Sequence, residues 1–168
     1  MSESLDDELI GAVYEGDLEE VKSLIAKGAD PRAEYLVHSA ADKGHTQVVA
    51  YLLDLLGDGV INSFDELSYT PLTYAAKMGH LEVVKLLLVR GANINAHNEA
   101  RSGDTPLCET VLEGTPEMVQ FLLDAGADPL IPGWMHITAY DRAKTRAEKE
   151  RSSDAAAILS LVKTAAKK

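Results

Sequence analysis

Glycine recurs in this chain on a fixed beat. Gly44, Gly79 and Gly114 follow one another at steps of 35 residues, and Gly91 and Gly126 keep the same step. Gly16 to Gly28, Gly79 to Gly91 and Gly114 to Gly126 are each 12 residues apart. Thr70 to Thr105 is again 35, and Thr105 to Thr138 is 33. Self-similarity at such a period marks a stacked array. Each copy is one supersecondary unit that cannot bury its apolar face alone and must lean on its neighbours.

The stretch Tyr69–Asn95 holds one complete unit. Thr70 is an N-cap residue whose hydroxyl can accept from a free N–H of the first helical turn. Pro71 follows at the first helical position, where its missing donor costs nothing. Leu72, Ala75 and Ala76 fall on one face, and the small alanines admit a second helix at close range. Gly79 supplies the left-handed residue that ends this helix. His80 is expected to cap the next helix, and Glu82 adds a negative charge to its first turn, where the helix dipole favours it. Val83, Val84 and Leu86–Leu88 form its apolar face, and Gly91 ends it.

Five units follow from this template, spanning approximately 5–32, 33–62, 63–95, 96–130 and 131–168 of a single domain. In the first, Asp17 caps the second helix with Glu20 completing a capping box, and polar Glu20 and Ser23 replace apolar template positions, as suits a terminal unit. The second has a short lead-in around Arg32 to Tyr35 and a lengthened end, LGDGVIN. In the fourth, Thr115 and Pro116 open the second helix, and the loop Ala96–Asp104 carries two extra residues. In the fifth, Ala147 takes the place of the inter-helix glycine and is followed by a polar insert, EKERSS.

These motifs resemble the ankyrin repeat family. The resemblance is carried by Thr70-Pro71-Leu72, Ala75-Ala76, Gly79-His80, Glu82-Val83-Val84, Leu86–Leu88 and Gly91-Ala92-Asn93-Ile94-Asn95. Thr105-Pro106-Leu107 with Gly126-Ala127-Asp128 forms a partial copy. It covers nearly the whole chain. The implied fold is an all-α repeat solenoid of about five helix-turn-helix units, with β-turn fingers between them and a concave face. Departures are specific. The histidine that follows Thr-Pro-Leu in the family is Thr73 and Cys108 here and survives only as His38, where the resemblance implies a buried, loop-bonding role. The finger glycine is Ser68 in one unit and His136 in another, and the finger of the second unit is expected to be missing.

Composition narrows the partners. The net charge is −11, with 27 acidic against 16 basic residues. That balance argues against phosphate backbones and anionic membranes, whose affinity comes from basic patches. It suits solubility and is compatible with a basic protein partner. The opening MSESLDDELIG has neither the basic nor the apolar region of a signal peptide, and no apolar run reaches membrane-spanning length. The single cysteine excludes an internal disulfide. The expectation is a cytoplasmic monomer.

No catalytic set emerges. The five histidines share no metal-ligand spacing, no phosphate cradle or serine-elbow motif occurs, and Cys108 reads as a small core residue without a local base. No cofactor is expected. The candidate site is instead the concave face. In the ankyrin pattern it is built from residues just before the Thr and from exposed positions of each first helix. Mapped onto this chain, those are Tyr14 and Glu15; Ser39, Asp42 and Lys43; Glu66, Leu67, Tyr69, Tyr74, Lys77 and Met78; Asp104, Glu109, Leu112 and Glu113; and Trp134, Met135, Ile137, Arg142 and Arg146. Tyr, Trp, Met and Leu at such positions are the types enriched at interaction hot spots. Two alternatives compete locally: Trp134 folding over the fifth unit as part of its cap, and Tyr69 packing on Tyr74. Tyr35, Tyr51 and Tyr140 read as helix or core-edge residues and are not counted.

Three functions compete: a non-catalytic module docking a partner protein on its concave face, an acidic inhibitor or immunity-type protein that covers a partner enzyme or toxin, and a metal-dependent enzyme. The first accords best with the residues.

Overall fold

The computed structural model describes residues 4–32, 35–101 and 103–167. Ten α-helices run along them as five hairpins. They are α1 (Leu5–Glu15) with α2 (Leu18–Lys27), α3 (Leu36–Asp42) with α4 (Thr46–Leu56), α5 (Pro71–Lys77) with α6 (Leu81–Val89), α7 (Pro106–Glu113) with α8 (Pro116–Asp124), and α9 (Ala139–Glu150) with α10 (Ser153–Ala165). No strand occurs among the described residues, and the expected all-α repeat solenoid is the fold. Ala33 and Glu34, where the missing finger was expected, lie outside the described residues.

The start signals work as the residue types require. The hydroxyls of Thr70, Thr105, Thr115 and Thr138 accept from the N–H groups of Thr73, Cys108, Met118 and Asp141, and Pro71, Pro106 and Pro116 sit in the first turn behind their caps. Each such cap stabilises by about 1 kcal/mol. Asp17 accepts from the Glu20 N–H at 3.0 Å, which is one half of the expected box. Gly79 and Gly91 are left-handed as expected, with φ of 81° and 92°. Two expectations fail. His80 stands at the N-cap but makes no capping bond with its side chain. In the fifth unit the first helix does not break at Ala147. Lacking a glycine there, it continues to Glu150, and Arg151 takes the left-handed turn with φ of 50°.

The first helices form one continuous row, α1 against α3, α3 against α5, α5 against α7 and α7 against α9. Ala40, Ala41, Ala75, Ala76, Ala139 and Ala143 are wholly buried in that row, and their small side chains are why the helices can stand so close. The second helices supply the larger apolar groups, with Val48, Val49, Leu52, Leu53, Val83, Val84, Leu87, Val119 and Leu122 closing the core behind the row. At about 1.5–3 kcal/mol per buried Val or Leu, this is the main force for stacking.

Polar bridges set the register between units. The ring of His45 reaches back to the Tyr14 carbonyl at 2.9 Å, and that of His80 to the Asp42 carbonyl at 2.8 Å. Where a third histidine would stand, Thr115 caps its own helix instead. Between the last two units Arg146 takes over the bridging, donating to the carbonyls of Val111 at 2.9 Å and Gly114 at 3.1 Å. On the opposite side, the amide oxygens of Asn62 and Asn95 accept from the N–H groups of Asn93 and Asp128, each at 2.8 Å. The closing asparagine of one unit thus holds the loop of the next.

Two fingers are closed by the same pair of backbone bonds. In one, the Asp65 N–H donates to Tyr69 O and the Ser68 N–H to Asp65 O, both at 3.0 Å. In the other, the Gly133 N–H donates to Ile137 O at 3.0 Å and the His136 N–H to Gly133 O at 3.1 Å. Ser68 and His136 adopt left-handed conformations (φ of 66° and 58°) without glycine, and Met135 does so as well at 57°.

Candidate docking face

Two grooves lie along the row of first helices and the fingers, the side expected to form the docking face. The N-terminal groove has a volume of about 570 Å³ and is lined by residues of the first three units, from Tyr14 to Tyr74. Its floor is fixed by Asp65. One carboxylate oxygen accepts from the N–H groups of Leu67 and Tyr69, at 2.9 and 2.8 Å, and shapes the finger. The other accepts from the Tyr74 hydroxyl at 2.6 Å. Burial and that bond push the Tyr74 phenol well above its ordinary value, so it stays a donor at every physiological pH.

Tyr69 and Tyr74 do pack on each other, edge to face, with ring centroids 5.4 Å apart. His38 continues the stack, with its ring 6.2 Å from that of Tyr74 and 5.3 Å from that of Tyr35. Its Nε2 bonds to the Ser63 carbonyl at 2.9 Å, which is the buried loop-bonding role the resemblance implied. That bond makes Nε2 the donor and leaves Nδ1 a lone pair with no partner. Burial lowers the pKa of His38, so the ring is neutral.

The C-terminal groove is smaller, about 360 Å³, and lies among Leu112, Trp134, Ile137, Arg142 and Arg146. Trp134 and Met135 are 57% and 64% exposed, so the tryptophan does not fold into the cap. Between the two grooves sits a charge network. Lys77 Nζ is 3.4 Å from Glu109 and 3.8 Å from Glu113. Arg142 donates to Asp104 at 2.6 Å and lies 3.7 Å from Glu109, and the second oxygen of Asp104 receives the Trp134 N–H at 3.0 Å. Burial raises the Asp104 pKa, with the Trp134 N–H and Arg142 opposing it. Tyr69 is pushed up by burial and by the Glu109 carboxylate beside it.

Several expected contact residues are therefore spent inside the fold. Glu109 is 4% and Asp104 9% exposed, because the fifth unit closes over them and their charges are answered by Arg142 and Lys77. Arg142 and Arg146 are largely covered, the first in that network and the second as the inter-unit bridge. Tyr69 and Ile137 are half-buried at the feet of their fingers. Tyr14, Glu15, Glu66, Leu67, Met78, Leu112, Glu113, Trp134 and Met135 are exposed on the face, while Ser39, Asp42 and Lys43 line the N-terminal groove half-covered. Sequence reasoning set Tyr35 aside as a helix or core-edge residue, gave His38 only its loop-bonding role, and passed over Asp65. The pair Asp65–Leu67, an Asx acceptor two residues before an N–H it can reach, was the available signal for the last.

Among the described residues, no group of three or more His, Cys, Asp or Glu side chains is placed to hold a metal, and no helix is long and apolar enough to cross a membrane. Cys108 is buried, and burial raises its thiol pKa.

Residues 9–98 match a family model described as ankyrin repeats in three copies, and residues 102–134 match a single ankyrin repeat. The chain is similar to BCL-6 corepressor-like protein 1 of Homo sapiens, 33% identical over 121 residues that cover 72% of this chain and 7% of that protein. It is 33% identical over 127 residues to the ankyrin repeat and KH domain-containing protein mask-1 of Caenorhabditis elegans, covering 73% of this chain and 5% of that one. It is 40% identical over 96 residues to the 26S proteasome non-ATPase regulatory subunit 10 of Dictyostelium discoideum, covering 52% of this chain and 40% of the subunit. The chain thus spans less than a tenth of the first two relatives.

Proposed function

The chain belongs to the ankyrin-repeat family, and from that premise we propose that its 168 residues act as one non-catalytic docking domain, a cytoplasmic monomer that holds a partner protein on its concave face. Ankyrin repeats in general mediate protein–protein interaction, and the family is generally non-catalytic. One observation carries the reading for this chain. Of the twelve large apolar side chains exposed among the described residues, eight (Leu5, Tyr14, Tyr35, Leu67, Met78, Leu112, Trp134 and Met135) lie on the first-helix row and its fingers, against Leu55, Leu81 and Val89 on the second helices and Leu130 in a loop. Clustered exposed apolar groups mark contact surfaces, whereas scattered ones are ordinary. The carboxylates Asp42, Asp65 and Glu66 beside them favour a basic partner. A narrower version, in which the partner is an enzyme or toxin covered and inhibited, draws on the same acidic groove.

Photo-crosslinking tests the docking reading. A benzoylphenylalanine at Leu67 or Trp134 is expected to give a discrete protein adduct in cells, and the same group at Val89 or Leu55, on the second helices, is not. Adducts from Val89 and Leu55 alone, or from no position, would remove the concave face as the docking surface.

A further inference from the structure

The N-terminal groove has a chemistry more specific than a general docking surface. Tyr14, Tyr35 and Tyr74 line it together with Asp42, Asp65 and Glu66. Among the described residues that line it, Lys43 is the one cation, and it is already engaged, with Nζ 4.3 Å from the centroid of the Tyr14 ring and 3.1 Å from Asp42, while just outside the lining Arg101 donates to the Glu66 backbone carbonyl at 3.3 Å. Among the described residues, the charge of Asp65 is met by neutral donors, two N–H groups and the Tyr74 hydroxyl. Glu66 stands exposed at the fingertip. Behind them the neutral His38 ring adds no positive charge. The cleft therefore holds two carboxylates beyond what its own cation answers, tyrosine rings beside them, and about 570 Å³ of space.

We propose that this cleft receives an arginine side chain from an extended segment of the partner, with the guanidinium edge paired to Asp65 and Glu66 and its face laid on a tyrosine ring. The proposal rests on the concave docking reading and names the group that docks there. Lys43 over Tyr14 shows that the geometry of the groove already accommodates a cation on a tyrosine face. Arginine suits the empty part better than lysine, because its planar, weakly hydrated fork can stack on an aromatic ring and meet carboxylates at the same time.

The test is an amide-resolved NMR titration of the full chain with the peptide acetyl-Gly-Ser-Ala-Arg-Ala-Ser-Gly-amide, beside matched peptides carrying citrulline, lysine or norleucine in place of the arginine. The arginine peptide is expected to shift amides within residues 35–43 and 65–74. Citrulline keeps the shape and loses the charge, so its peptide should bind at least about tenfold more weakly, the scale of a partly desolvated cation on an aromatic ring. Glu66→Gln, on an exposed side chain that the fold does not need, should weaken the arginine peptide by up to about fivefold, as for one solvent-facing charge pair. Tyr74→Leu, checked for native dispersion, should weaken it further. Equal binding of the citrulline peptide, shifts confined to residues 134–150, indifference to Glu66→Gln, or no shift with any peptide at millimolar concentration would each overturn the proposal. If crosslinks from Leu67 and Trp134 persist while the arginine peptide fails, the arginine assignment alone falls. If the crosslinks fail as well, the docking reading falls with it.

Discussion

The imidazole of His45 occupies the space a side chain on Gly16 would need: a Cβ built there would stand 2.4 Å from Nδ1 of His45. Gly44 stands in the same relation to His80, at 2.6 Å, whereas nothing lies within 4 Å of a Cβ on Gly79, where the next unit offers Thr115 instead. All three glycines are left-handed. Gly79→Ala should therefore cost only the backbone term, about 1 kcal/mol. Gly16→Ala and Gly44→Ala should also displace the bridging histidines and cost about 2–4 kcal/mol. Urea unfolding midpoints of the three variants check the ranking.

Arg142 ties the last unit to the buried carboxylates of Asp104 and Glu109. Arg142→Met keeps the apolar stem but leaves Asp104 without its cation and Glu109 with Lys77 alone, and breaking such a buried pair typically destabilises by about 3–5 kcal/mol. Because Asp104 also holds the Trp134 N–H, the same change should alter the environment of the sole tryptophan. A loss of stability accompanied by a shift in Trp134 emission is expected; an unchanged midpoint would show that the network contributes nothing.

His38 makes stability depend on pH. Burial sets its folded pKa below the ordinary 6.5, so the native ring stays neutral where the unfolded chain gains a proton. The unfolded state then binds more protons, and stability falls as pH drops from about 7 through 6.5 toward the folded value, by at most about 1.4 kcal/mol per pH unit. His38→Gln should flatten this slope whatever it does to stability at pH 8. Unfolding curves at half-unit intervals between pH 8 and 5 measure it.

Thr138 and Asp141 cap one another at the start of α9, and the bonds from Thr138 hold the Asp141 carboxyl below its ordinary value. Thr138→Ala should cost about 1 kcal/mol at neutral pH. The Asp141 contribution is present above the ordinary aspartate value and disappears as pH falls through the folded one, so the cost should shrink in acid. Thermal midpoints of the variant and wild type at pH 7 and pH 3 give the comparison.

The repeat period, the caps and the buried alanines were all legible because they are local. Thr70 with Pro71, or Gly79 twelve residues before Gly91, state their roles within one unit. The face itself was less legible because it is made between units. Glu109 reads as an exposed helix residue until the fifth unit lays Arg142 across it, and Arg146 reads as a surface charge until the carbonyls of the fourth unit turn toward it. His80 carries the sequence mark of a cap, yet its ring bonds to a carbonyl 38 residues away. Asp65 and Tyr35 gain meaning only from their neighbours across the groove.

The two closing bonds shared by the fingers have a consequence for how such a surface can change. They tie only backbone atoms, and they hold with one left-handed residue at the tip in the first finger and two in the second. Glu66 and Leu67 in one finger, and Trp134 in the other, therefore ride on a frame indifferent to their identity, whereas Met135 stands in the left-handed region that β-branched side chains avoid. The molecule can be re-lettered at those three places, exchanging an acidic tip for an aromatic one, while the pile of helices beneath keeps its shape.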